Sequence, residues 1–174
     1  MSSNEAPTTT ETAAPAVVSN ATKADALITN KVLWALGAGL VPVPLLDLTA
    51  IAAVQLKLVN ELSDLYKVPY SADKGKKLVS ILTGSVGTGT LATGTVASLL
   101  KVFPGIGTMA GAVALPVVAG ASTYALGKVF VQHYETGGRM IDFNQEKAKA
   151  YFASVFDEGK KVATKLKASM TSAN

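Results

Sequence analysis

Between Lys77 and Lys128 the chain carries a single charged residue, Lys101, so Leu78–Leu100 and Val102–Gly127 form two long uncharged runs. As an α-helix rising 1.5 Å per residue, the first run is about 35 Å long, enough to cross a hydrocarbon core of about 30 Å. Phe103-Pro104-Gly105-Ile106-Gly107 separates the runs with a cluster of helix breakers. It predicts a turn at Pro104 and Gly105 and a returning helix from Thr108 to about Tyr134. A helix that is apolar all round is buried either in lipid or in protein, so a transmembrane hairpin and the buried core of a soluble oligomer both satisfy the pattern. Composition favours lipid. Charged residues are 16% of the 174, against roughly 25% in soluble domains, and mean hydropathy is +0.34.

The hairpin is rich in small residues at four-residue spacing. Ser80, Gly84, Thr88 and Ala92 form one row, and Ser85, Gly89, Thr93 and Ala97 form another. Gly87 and Gly94 lie between them, and the returning arm adds Gly107 and Gly111, then Ala112, Pro116 and Gly120. Apolar burial does not drive helices together in lipid, whereas small-residue rows let backbones approach closely. Gly84, Gly87, Gly89, Gly94, Gly107, Gly111 and Gly120 are therefore the expected helix-packing positions, in a tight hairpin or a homo-oligomer.

The flanking sequence is more ordinary. Residues 1–22 are mostly Thr, Ala, Pro, Ser and Glu, with Pro7 and Pro15, and read as a disordered tail. From Lys23, apolar residues follow helical spacing as far as Val41-Pro42-Val43-Pro44, where two prolines break the helix. A second helix is expected from about Leu45 to Lys67, with Asp47 in its first turn, where a carboxylate complements the helix dipole. Pro42, Pro44 and Asp47 mark a turn or a shallow re-entrant wedge, since each arm beside them is shorter than the roughly 17 residues a span needs. Residues 23–143 thus make up a helical domain. Residues 144–174 add a last amphipathic helix and short tail, with Phe152, Val155, Phe156, Val162, Leu166 and Met170 near one stripe. Lys147, Lys149, Lys160, Lys161, Lys165 and Lys167 crowd the rest. Such a helix suits an anionic leaflet, and it equally suits packing on its own domain through that stripe. The fold class is all-α.

Several chemistries are disfavoured. The chain has no cysteine and one histidine, His133, so thiolate sites are excluded and no metal cluster can be built around that histidine. Gly84-Ser85-Val86-Gly87-Thr88-Gly89 has the wrong order for a dinucleotide-binding fingerprint, and Gly127-Lys128 is followed by Val129 rather than Ser or Thr. No cofactor is implied. A net charge of +4 spread along the chain does not make a nucleic-acid stripe. Trp34 and Tyr124 fit either a membrane interface or a packed core. Lys74, Lys76 and Lys77 precede the hairpin while Lys128 and Arg139 follow it, which places both termini in the cytoplasm of a bacterial inner-membrane protein. A wholly cytoplasmic location is the alternative.

The run Val41-Pro-Val-Pro-Leu-Leu-Asp-Leu-Thr-Ala, then Val54-Gln-Leu-Lys-Leu-Val and Leu65-Tyr66, resembles the N-terminal signature of the YcjF-like domain of unknown function. Phe103-Pro-Gly-Ile-Gly, Ser122-Thr-Tyr-Ala-Leu-Gly-Lys-Val and Tyr134-Glu-Thr-Gly-Gly are similar to its C-terminal signature, so the resemblance covers about residues 24–143. It implies a bacterial, membrane-associated helical domain that occurs alone or joined to Era-like GTPase domains. No GTPase motif is present here, so a GTPase partner would be a separate chain. The expected function is a non-enzymatic scaffold that self-associates and organises, anchors to or deforms a membrane. The alternative is a soluble or peripheral module that docks a GTPase or another helical protein.

Overall fold

The computed structural model describes residues 19–38, 46–88 and 109–172. They form five helices: α1 (Asn20–Ala38), α2 (Leu46–Leu65), α3 (Ala72–Thr88), α4 (Met109–Glu135) and α5 (Gln145–Ser172). The all-α expectation holds, and the helix order follows the sequence pattern closely. One boundary is corrected, because α1 begins at Asn20, inside the segment read as a tail. Ser19 Oγ accepts the backbone N–H of Thr22 at 3.2 Å and supplies the cap that the later start at Lys23 overlooked.

Local chemistry explains the other ends. After α2, Lys67 takes a left-handed φ of 59° and the Val68 N–H returns to the Ser63 carbonyl at 2.8 Å, which turns the chain just ahead of Pro69. Gly137, with φ of 80°, performs the same reversal after α4. Asn144 caps α5, its Oδ1 accepting the Lys147 N–H at 3.0 Å.

Helix α4 is the central element and packs against α1, α2, α3 and α5. Its freedom from charge between Met109 and Gly127 makes this placement possible, since it presents no face that needs water. Ala121, Tyr124, Ala125, Leu126, Val129, Phe130 and Tyr134 are all buried in the main core. The stripe on α5 covers one side with Phe152, Phe156 and Ala163, and α1 covers another with Ile28, Val32 and Leu36. Burial of side chains such as Phe130 and Phe152 stabilises the fold by about 1.5–3 kcal/mol each.

This arrangement corrects the transmembrane reading of the returning arm. From Pro116 to Gly127 that arm is largely enclosed by the chain's own helices, and among the described residues no helix is long and apolar enough to cross a membrane. The physical reason is that two amphipathic neighbours carry stripes broad enough to substitute for lipid. The remainder of the expected hairpin, residues 89–108, lies outside the described residues.

Glycine sets how closely the helices approach. A Cβ at Gly127 would stand 2.5 Å from Ile28 Cγ1, and one at Gly120 would stand 2.9 Å from Ala163 Cβ and 3.3 Å from Leu36. A Cβ at Gly159 of α5 would stand 2.7 Å from the Ala121 carbonyl oxygen, where no side chain can move aside. Gly159→Ala is therefore expected to lower stability by about 1–3 kcal/mol through overpacking. Gly84→Ala, where a Cβ meets nothing within 4 Å, should be neutral or raise stability by up to about 1 kcal/mol through helix propensity. Thermal denaturation of the two variants checks this order.

Candidate functional site

In each of the first four helices the charges leave one end almost bare. In α1 none follows Lys31, in α3 none follows Lys77, and in α4 none precedes Lys128. In α2 only Asp47 precedes Lys57. Register between the helices turns this sequence fact into a spatial one. Gly127 faces Ile28 and Gly120 faces Leu36, so α1 and α4 are antiparallel. Gly159 faces Ala121 and Tyr124, and Ala163 faces Gly120, so α5 is antiparallel to α4 as well. The C-terminal ends of α1 and α5 and the N-terminal end of α4 accordingly share one end of the molecule, and the bonds of Gln55 to Ser122 and Ser63 to Tyr134 bring the N-terminal end of α2 there as well. In sequence, residues 39–45 and 89–108 carry Lys101 as their only charge. Three of the large apolar side chains left exposed belong to this half: Trp34 (64%), Leu115 (39%) and Met170 (39%).

The opposite half is tied by polar contacts. Lys31 Nζ meets Glu61 Oε1 at 2.8 Å between α1 and α2, and Lys128 Nζ meets Asp25 Oδ1 at 2.7 Å between α4 and α1. Tyr66 donates to Glu135 at 2.8 Å and Tyr124 to Glu158 at 2.6 Å. Ser63 and Tyr134 share a buried hydrogen bond of 2.8 Å. Where the halves meet, the buried Gln55 donates from Nε2 to Ser122 Oγ at 3.2 Å, with Thr123 Oγ1 at 3.4 Å, and so satisfies a polar group within an apolar contact.

The residues singled out in the sequence are distributed unevenly. Gly120 lies at a close helix approach, whereas Gly84 is exposed, with no neighbour within 4 Å of a Cβ position. Gly87 lies in α3, Gly111 in α4 and Asp47 in the first turn of α2. Pro42, Pro44, Gly89, Gly94, Pro104, Gly105 and Gly107 fall outside the described residues. On α5, Lys147, Lys160, Lys161 and Lys165 are exposed, Lys149 and Lys167 are half-buried, and Lys160 pairs with Asp157 at 2.6 Å. The α5 stripe itself is taken up by the core, so of the two uses open to that helix, packing on its own domain is the one the fold displays. Of the two aromatics, Trp34 is exposed while Tyr124 is buried.

Gly127 and Gly159 escaped the sequence reading, although Phe152, Phe156, Gly159 and Ala163 repeat at three- and four-residue spacing that would have found the second of them. His133 is half-buried with its Nε2 2.8 Å from the Arg139 carbonyl oxygen, closing the loop after α4. Among the described residues no group of acidic and histidine side chains could hold a metal ion.

Comparison with known proteins places this geometry in a family. The family model described as a domain of unknown function (DUF697) matches residues 7–161. The chain belongs to that family. The match extends beyond residues 24–143 at both ends and takes in most of α5. Magnetosome membrane protein 22 of Magnetospirillum gryphiswaldense is 42% identical over 145 residues, covering 83% of this chain and 74% of that protein. No solved structure matches the chain.

The tyrosine ties give a pH signature. Burial, reinforced by the hydrogen bonds to Glu135 and Glu158, holds the phenols of Tyr66 and Tyr124 well above the ordinary tyrosine range. Burial also raises those of Tyr70 and Tyr134. An unfolded chain releases these protons near pH 10 while the folded one retains them, so the stability they contribute is complete below about pH 10 and falls as pH rises beyond it. Denaturant melts between pH 9 and 12, values set by that ordinary range of about 10, should show this loss. Tyr124→Phe, which cannot ionise, should flatten the slope.

Proposed function

We propose that this protein is a non-catalytic, membrane-associated helical scaffold, seated on the bacterial cytoplasmic membrane through the charge-poor half of its bundle. The observation that carries this reading is that α1, α2 and α4 place their charge-poor stretches at the same end of the bundle. A half-bundle whose described helices carry only Asp47, Lys165 and Lys167 as charges, with exposed Trp34, Leu115 and Met170, costs less to transfer toward lipid than the other half, which keeps its ion pairs in water. The membrane location of a 42% identical relative, as its name gives it, supports the same assignment.

The N-terminal end of α1 stays on the cytoplasmic side, and Lys161, Lys165 and Lys167, toward the C-terminal end of α5, reach the anionic head groups. The open row at Gly84 is available to another copy, which would give self-association and, with it, organisation or bending of the membrane. A second reading, docking of a separate GTPase or other protein, draws support from the opposite end. There a cavity of about 170 Å³ is lined by Lys74, Lys77, Met140 and Phe143, beside the 59% exposed Ile141.

Two measurements test the proposal. The protein is expected to float with liposomes and to stay with membranes through a carbonate wash, and a monodisperse, detergent-free species confined to the soluble fraction would overturn it. Gly84→Leu is expected to leave the helical content unchanged while lowering the oligomer mass in detergent. An unchanged mass would remove Gly84 from the self-association surface.

A further inference from the structure

We infer that Trp34 marks the depth to which the bundle enters the membrane interface, end first, with Leu115 and Met170 beyond it among lipid chains and Lys57 and Lys161 at its level among head groups. This rests on the membrane reading above and adds to it an orientation, a depth and the residues that set them.

The levels follow from close contacts. Leu36 packs against Gly120, so Trp34, two residues earlier in the antiparallel α1, is level with Ser122. Ala163 also packs against Gly120, which brings Lys161 to that level on α5. Gln55 bonds to Ser122, which brings the exposed Lys57 close to it on α2. Leu115 lies further along α4 by about 10 Å at 1.5 Å per residue, and Met170 lies at a similar height on α5. An aromatic ring exposed at 64%, with apolar side chains on one side of its level and lysines beside it, is the arrangement found at lipid head groups.

The occupant of this face is an anionic bilayer rather than a second copy of the chain. Beyond the level of Trp34 the described helices carry Lys165 and Lys167 on α5 and a single carboxylate residue, Asp47. Two copies meeting end to end about a two-fold axis would set these lysines against each other, whereas an anionic leaflet attracts them and their long stems reach back to the head groups.

Trp34 is the only tryptophan, so the emission of the full-length protein reports on this position alone. With vesicles of phosphatidylcholine and phosphatidylglycerol the emission should shift to the blue and be quenched by bromines placed high on the acyl chains. The shift should shrink several-fold in pure phosphatidylcholine or at high salt. A second protein, Trp34→Phe with Leu115→Trp, should be quenched more by deep bromines than by shallow ones, with circular dichroism confirming that it folds. Flotation without any change in Trp34 emission would overturn the depth assignment while leaving membrane association standing. Failure both to float and to shift would overturn the two together. A blue shift that appears without lipid and grows with protein concentration would give this face to a second copy and overturn the inference.

Discussion

Everything in this fold depends on how closely α1 and α5 approach α4. At Gly120, Gly127 and Gly159 no side chain stands between the helices, and Ile28, Leu36, Ala163 and the Ala121 backbone occupy the space instead. Dispersion contacts at such short range need complementary surfaces on both sides, so the three helices fix one another's register. Once that register is set, the levels of Lys31, Lys57, Lys128, Trp34 and Ser122 follow, and so does the division of the bundle into two halves. The scaffold and the candidate site have the same origin.

That division separates two kinds of cohesion. The charged half is joined by pairs that lie near water, such as Lys128 with Asp25 and Tyr66 with Glu135. These contribute modestly to stability but specify geometry. The charge-poor half relies on apolar packing, including the small cluster of Ala35, Ile51 and Ala119, with Gln55 and its two hydroxyl partners as its polar seam. Pro116 lies in this half, inside α4, and has no N–H to give to the helix ladder. Apolar surroundings with few polar demands let the half-bundle tolerate either its own core or a lipid boundary, which is the property a membrane-seated domain requires.

Much of the architecture was legible from residues alone. The breakers Val41-Pro42-Val43-Pro44 and Phe103-Pro104-Gly105-Ile106-Gly107 and the periodicity of the last helix located the described ends of α1, α2, α4 and α5 to within a few residues, because these are local effects. The start of α1 was missed by three residues, since Ser19 and Thr22 form a cap within a stretch whose composition otherwise resembles a tail. The candidate site was less legible. Gly120 could be picked out as a packing position, but Gly84 belongs to the same kind of row and has no neighbour within the chain. Nor could periodicity separate Trp34 from Tyr124.

By itself the sequence determined that the chain would be helical, that a long uncharged region would need to be shielded from water, and that it holds no cysteine and no phosphate-loop motif. These follow from side-chain types and short-range spacing. Only the tertiary structure decided what does the shielding. From Pro116 to Gly127 it is the chain's own α1 and α5, because an apolar helix is indifferent between lipid and a matching protein stripe, and that choice depends on partners far away in sequence. Only the register of antiparallel helices, a property of contacts such as Gly127 with Ile28, brought Trp34, Lys57 and Lys161 to one level and gave the molecule an apolar end.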